Sequence, residues 1–301
     1  MMMQNKVALV TGANGDMGKV IATELARQGA CVVGVVRRRE QGEALQHDII
    51  QATGNSEVHF LVADLADQRQ IRRLVDEFHQ HFSYLHVVVN NAGVHLRERR
   101  LSPDGIEMHF AVNHLAWFLL TNLLLDTLKA SVPARVVNVA SQSMADARQI
   151  PLFGKPRPVA LQLDDLQSER HFEPMDAYAR SKLVMVMCGY ALARRLKDTQ
   201  VTVNALHPGL VSTGIASDAA PPIVRPFLGL VRPFLLSPQA GAQTAIYLAT
   251  SPEVEGVTGQ YFVRGKPGRS VPISYDEALQ ERVWNISAEL VGLEHSVSHR
   301  S

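Results

Sequence analysis

The 301 residues are enough for one large α/β domain or two small ones, and 46% apolar against 20% charged residues supports a sizeable core and excludes general disorder. A formal net charge of +1 gives no electrostatic footprint for nucleic acid or an anionic membrane. The two cysteines, Cys31 and Cys188, exclude a disulfide framework and fit a reducing cytosol.

In chain order, a strand-like run at 7–10 is followed by a helix-like segment at 17–28. A run at Cys31–Val36 and a polar helix-like segment at 40–52 come next. The series continues through 58–63, 71–81, Val87–Asn90 and 105–128, then 135–139, 178–196, 201–206 and 240–249. Val- and Ile-rich strands separated by helices read as βαβ units, which predicts an α/β fold. It is a single Rossmann-type, doubly wound parallel sheet with helices on both faces. An order reversal after the first strand then opens a ligand crevice at the C-terminal ends of the strands. No repeat or low-complexity linker divides the pattern, so one domain spanning 1–301 is expected. Two stretches break the alternation: a polar, Pro-bearing insert at 142–175 and an apolar, Pro-rich segment at 213–238. Both leave strands at the crevice and are expected to shape and cover a substrate. No charged-then-apolar leader precedes the first strand and no run of about 18 apolar residues occurs, so a cytoplasmic protein without an integral membrane anchor is expected.

The chemistry concentrates in Tyr178-Ala179-Arg180-Ser181-Lys182. Residues four apart lie one turn above each other on a helix, which sets the Lys182 ammonium beside the Tyr178 phenol. A neighbouring cation favours the phenolate, so Lys182 is expected to lower the Tyr178 pKa and make it an acid/base near neutral pH. Thr11-Gly12-Ala13-Asn14-Gly15-Asp16-Met17-Gly18 follows the first strand and opens the first helix. Its glycines permit a tight turn and let backbone N–H groups approach a pyrophosphate. Neither Cys-x-x-Cys nor His-Glu-x-x-His occurs, and His109 and His114 are badly spaced for two ligands on one helix face, so no catalytic metal is expected. His79 and His81 are expected to be solvated, and His207 to be packed and neutral. Trp117 and Phe118 read as core or subunit interface.

The glycine turn, Asn90-Asn91-Ala92-Gly93, Ser141 with Tyr178 and Lys182, and Pro208-Gly209, in this order, resemble the short-chain dehydrogenase/reductase family. Two further stretches, Asp164-Asp165-Leu166-Gln167-Ser168-Glu169-Arg170 and Ser237-Pro238-Gln239-Ala240-Gly241-Ala242-Gln243-Thr244, resemble its retinol-dehydrogenase-like branch. The resemblance implies catalytic roles for four residues. Ser141 donates to the substrate oxygen, Tyr178 gives or takes its proton, Lys182 also binds the nicotinamide ribose, and Asn113 holds a relay water. A buried Asn113 could instead be only structural. It implies cofactor contacts from Gly12, Asn14, Gly15, Met17 and Gly18, and from the adenine-contacting pair Asp64 and Leu65. Asn91, Ala92 and Gly93, Pro208 and Gly209, Val211 and Thr213 complete the set, together with Tyr178 and Lys182. For Asp64 the alternative is a surface N-cap. The turn departs from the usual single-domain spacing, with Asp16 where a glycine is common. Asp16 is expected to cap the next helix while pointing away from the phosphates.

Cofactor identity is argued from charge. The second strand ends at Val36, where an acid would select NAD, and continues into Arg37-Arg38-Arg39, which suits a 2′-phosphate. NADP(H) is therefore expected over NAD(H), with Arg37 the principal contact and Arg38 beside it. The leading expectation is an NADP(H)-dependent oxidoreductase interconverting an alcohol and a ketone or aldehyde, with a bulky hydrophobic small molecule as partner. The alternatives are a cofactor-sensing binding protein with little turnover and a non-redox isomerase or dehydratase. Family members often pair into homo-oligomers through the helices at 105–128 and 178–196.

Overall fold

Strands rich in valine can be covered on both faces, and that is how this chain builds its centre. A computed structural model describes residues 2–148, 155–211 and 235–293. Strands β1 (Val7–Thr11), β2 (Cys31–Val36), β3 (Val58–Val62), β4 (Val87–Asn90), β5 (Ala134–Val139), β6 (Val201–His207), β7 (Tyr261–Val263) and β8 (Lys266–Gly268) form one sheet. Its order is β3-β2-β1-β4-β5-β6-β7-β8, parallel except for the β7–β8 pair. The order reverses between β1 and β4, which opens a crevice at their C-terminal ends as expected.

Helices α1 (Asp16–Arg27) and α2 (Arg39–Thr53) pack on one face, joined by the helix Pro238–Thr250, numbered α7 below. The opposite face carries α3 (Gln68–His81), α4 (Ala116–Leu123), α5 (Leu125–Ala130) and α6 (Pro174–Arg195), with α8 (Glu277–Leu290) laid over α6. The helix starts are specified locally. Asp67 caps α3, Glu173 followed by Pro174 opens α6, Ser237 followed by Pro238 opens α7, and Asp276 caps α8.

Three features differ from the sequence expectation. The helix expected over 105–128 is π-helical over Phe110–Leu115 before becoming α4, and it breaks at Leu124 before α5. The edge hairpin β7–β8 turns on Arg264 and Gly265, both with positive φ, which is the two-residue geometry that matches strand twist. Its outer strand carries Lys266 and Pro267, which blunt a free edge. The third addition is α8. It buries Gln280, Val283, Ser287 and Ala288, so polar groups face inward alongside an apolar stripe. Ser287 donates to the Val283 carbonyl at 2.6 Å and accepts from His114 Nε2 at 2.7 Å. Trp284 meets Phe118 edge-on at 4.7 Å, and the Arg195 guanidinium lies 4.1 Å over its ring.

Helix α6 is consequently buried along almost its whole length. Within 105–128 and 178–196, α4 packs against α3 and α6 against α8. Trp117 and Phe118 belong to the core. Among the described residues no helix is long and apolar enough to cross a membrane.

The Trp284 contacts make a stability test. Trp284→Ala is expected to lower unfolding free energy by about 3 kcal/mol, the low end for a large aromatic because the side chain is only partly buried. Urea denaturation checks it, and a loss below half a kcal/mol would mean α8 is held by its polar contacts alone.

Candidate active site

The site is assembled where β1, β4 and β5 end. Thr11 closes β1 by accepting from both Asn91 and Ala92 backbone N–H groups, each at 3.0 Å. Asn91 returns its amide to the Thr11 and Gly12 carbonyls at 3.1 and 3.4 Å. The first turn is thereby riveted to the loop after β4. Gly12 adopts φ +62°, and a Cβ there would stand 3.1 Å from Ala92 Cα. A Cβ on Gly18 would lie 2.1 Å from the Gly12 carbonyl oxygen, so only glycine lets α1 start this close to the turn.

Gly15, in extended conformation, is the N-cap of α1 and offers no side-chain cap. A helix start without a side-chain cap suits a pyrophosphate. Asp16 is therefore not the expected cap. It is the exposed first residue of the helix, where a carboxylate meets the positive end of the dipole. Asn14 is exposed beside it, and Met17 is buried under Gly241 of α7.

At the end of β2, Arg37 and Arg38 are exposed, and neither side chain is in an ion pair among the described residues. Arg38 is the N-cap residue of α2, while Arg39 sits 5.9 Å over the Phe60 ring. Beyond β3, Asp64 accepts from Ala66 N–H at 3.0 Å, closing a local turn. The α3 cap is Asp67, so the surface-cap alternative for Asp64 is not what the chain builds. Leu65 is buried.

Tyr178 lies in the second turn of α6 and Lys182 one turn on, as the spacing requires. Lys182 is 3% exposed, and its ammonium donates to the Val139 carbonyl at 2.8 Å. Burial lowers its pKa to about 8. The effect expected on the tyrosine has the opposite sign. Burial holds the Tyr178 phenol above its ordinary value, and the group working against that is the nearby Ser141 hydroxyl. In this structure the lysine ammonium donates to a backbone carbonyl, and desolvation governs the phenol.

Ser141 caps a short 3₁₀ turn, Gln142–Met144. Its Oγ accepts from Ser143 N–H at 3.2 Å and from the Ser143 hydroxyl at 3.0 Å. Its own proton takes part in neither of these bonds. Ser143 carries no motif signal and was not anticipated.

Asn113 sits in the π-helical segment, fully buried. Its Oδ1 accepts from Val94 N–H at 2.7 Å, and its Nδ2 donates to the Val94 carbonyl and to Ser181 Oγ, both at 3.0 Å. Both amide protons are spent on joining the loop after β4 to α6. For water the side chain retains one lone pair of Oδ1.

A second layer backs the tyrosine. His95 and His109 rings lie 5.3 and 6.2 Å from the Tyr178 ring. Burial lowers the His95 pKa to about 4, with His109 and Arg97 adding to it. His109 Nε2 accepts from Leu96 N–H at 2.8 Å, which places its proton on Nδ1, 2.8 Å from Glu107 Oε1. This buried pair resembles an acid–histidine dyad, but its outer nitrogen is closed by a backbone donor. It cannot act as a base without unmaking that bond. His207 is packed as expected: Nδ1 accepts from Gly209 N–H at 3.0 Å, and burial lowers its pKa.

The insert folds against α6 through Arg180, a residue inside the Tyr-x-x-x-Lys stretch. Its guanidinium donates to the Ala160 and Asp165 carbonyls, to Ser168 Oγ and to Gln162 Oε1, at 2.8–3.3 Å. Residues 149–154 of the insert lie outside the described residues. Pro208 and Gly209 form the turn after β6, with Gly209 at φ +87°. Val211 is buried and bridges Leu236, while Thr213 and the expected covering segment up to residue 234 lie outside the described residues. A cluster missed by sequence reading, Cys31, Glu57 and His59, lies at the other end of the sheet.

The family model described as short chain dehydrogenase matches residues 6–150. The chain is 40% identical to retinol dehydrogenase 14 of Homo sapiens, over 97% of this chain and 88% of that protein. It is 38% identical to polyprenol dehydrogenase of Homo sapiens, over 96% and 86%. An uncharacterized protein from Mycobacterium Paratuberculosis superposes with a TM-score of 0.74 at 28% identity, over 97% and 95%. With near full-length identity at this level and the glycine turn, serine, tyrosine and lysine in place, the chain belongs to the short-chain dehydrogenase/reductase family, in its retinol-dehydrogenase-like branch.

Proposed function

We propose that the protein is an NADP(H)-dependent oxidoreductase that interconverts a bulky hydrophobic alcohol and its ketone or aldehyde, with Tyr178 as the acid/base. One observation carries the reading. The Ser141 side chain stands close enough to the Tyr178 phenol to act on it, with the Lys182 ammonium one turn away, at the crevice end of the sheet. The glycine turn and the Asn91 loop would hold the cofactor's pyrophosphate, and Arg37 with Arg38 its 2′-phosphate. Bound there, a nicotinamide supplies or accepts the hydride. Ser141 donates to the substrate oxygen, aimed by the two hydrogen bonds it accepts from Ser143. Tyr178 passes its proton to the same oxygen in reduction and takes it back in oxidation. Lys182 is poised to hold a ribose hydroxyl, and Asn113 keeps the loop at Val94 in place beside the tyrosine. Retinol and polyprenol, the alcohols in the relatives' names, are long and apolar, which supports the substrate class. The exposed Asp16 in the phosphate turn motivates a second reading, a cofactor sensor. NADPH binding by calorimetry without turnover on any carbonyl would favour it.

Tyr178→Phe is expected to lower kcat for carbonyl reduction by about 10²–10⁴-fold with unchanged circular dichroism. Steady-state oxidation of NADPH across long-chain aldehydes and small polar ketones checks this, and unimpaired turnover would remove Tyr178 from the mechanism. In the same panel, a preference for the small polar ketones would refute the substrate class.

Arg37→Ala is expected to raise KM for NADPH about 10–100-fold, the loss of one charge-assisted hydrogen bond, while leaving KM for NADH unchanged. An equal effect on both cofactors would place Arg37 outside the 2′-phosphate pocket.

The pH profiles should oppose each other. Reduction needs the protonated phenol, which burial favours, so its rate holds at neutral pH and falls at alkaline pH. Oxidation needs the phenolate and rises over the same range. Parallel profiles would point to a different titrating group.

A further inference from the structure

The cofactor end of the sheet uses the C-terminal ends of the strands, and none of its chemistry involves the opposite end. There the chain brings together three different donor types. Val32 pairs with Val58 and Val33 with His59 in the β2–β3 register, so Cys31 stands opposite Glu57 at the start of the ladder. Val32 N–H donates to the Glu57 carbonyl at 2.9 Å, which fixes that register. Side chains alternate along a strand, so Glu57 and His59 project on one face, with Cys31 beside them.

One donor atom from each of Cys31, Glu57 and His59 lies within 4.8 Å of the other two. His59 Nε2 is 3.8 Å from Glu57 Oε2, and the His59 ring is steadied edge-on by Phe82 at 5.3 Å between centroids. Cys31 and His59 are half-buried, while Glu57 is exposed.

We propose that Cys31, Glu57 and His59 form a binding site for a borderline divalent cation of the zinc class, which straps the edge strand β3 to β2. Sulfur, imidazole nitrogen and carboxylate oxygen at one point is a donor set that such ions favour over calcium or magnesium. Side-chain rotations of about 1 Å would bring the donors to the spacing of a tetrahedral ion. The exposed side then leaves the fourth position to water. Thiolate and carboxylate together neutralise the ion's two charges. Without metal the thiol stays protonated, because burial and Glu57 push its pKa up to about 11. Binding transfers that proton to buffer as the metal–sulfur bond forms. Sequence reading finds no standard metal spacing here, because two of the donors meet only through strand pairing. The site lies at the far end of the sheet from Tyr178, so it is a structural strap and not part of hydride transfer.

The test uses cobalt(II) as the probe, titrated into tag-free, reduced, full-length protein. The expected result is a saturable thiolate-to-cobalt absorption band that zinc displaces. Cys31→Ser should abolish the band, and His59→Ala should weaken binding by about tenfold or more. Cys188→Ser, which alters a buried thiol on another element, should leave it intact. Zinc should also raise the melting temperature of the native chain and leave that of His59→Ala unchanged. The absence of a band, a band that survives Cys31→Ser, or equal affinity in His59→Ala would each overturn the assignment. The last of these would reduce it to a single reactive thiol.

Discussion

A single hydrogen bond, from the buried Lys182 ammonium to the Val139 carbonyl, holds the reactive corner of this molecule together. It reaches from the middle of α6 to the end of β5 and brings Tyr178 to the strand end that Ser141 follows. An ammonium this deep would be costly without a partner, and one carbonyl is modest compensation. Its lowered pKa records that cost. The same burial raises the phenol, so the residue pair starts from two desolvated groups rather than from a phenolate stabilised by a neighbouring cation. A hydroxyl-bearing ligand between them would restore polar contacts to both.

Around this corner, side chains act mostly on backbone. Asn113 closes on both polar groups of Val94, Thr11 gathers Asn91 and Ala92, and Arg180 spreads over the insert. Each joins two segments distant in sequence, so the loops at the crevice are positioned by the helices and strands behind them. The arrangement explains how an irregular insert can stand beside a precise site. The residues that face the substrate are few, and those that hold them are numerous and buried.

Much of this was legible in the sequence. Valine-rich strands alternating with helices disclosed the parallel sheet and its switch point, and the Tyr178–Lys182 spacing disclosed a shared helix face. What escaped did so for physical reasons. Helix α8 seats glutamine and serine among its apolar residues, so its apolar period at Leu279, Val283, Ile286 and Leu290 is easily passed over. Strands β7 and β8 are too short to alternate. A π-helical stretch has the same composition as an α-helical one, and Phe110–Leu115 is buried throughout. Spacing also revealed that Lys182 stands near Tyr178 but not that the phenol is held up rather than down, because the sign of a pKa shift depends on burial. Asp16 illustrates the same limit: one residue's displacement along the turn decides between cap and first turn.

The bridge between Val211 and Leu236, reinforced by Leu236 N–H to the Leu210 carbonyl at 2.8 Å, bears on how such a protein diversifies. Val211, just beyond β6, and Leu236, just before α7, meet at one point, so the frame on either side is closed independently of the residues between them. Gly209 and Gly241, whose added Cβ atoms would strike Leu236 and Val211, guard the two posts of this gateway. Evolution can therefore rewrite what lies beyond the gateway while the frame that carries the tyrosine keeps its stability.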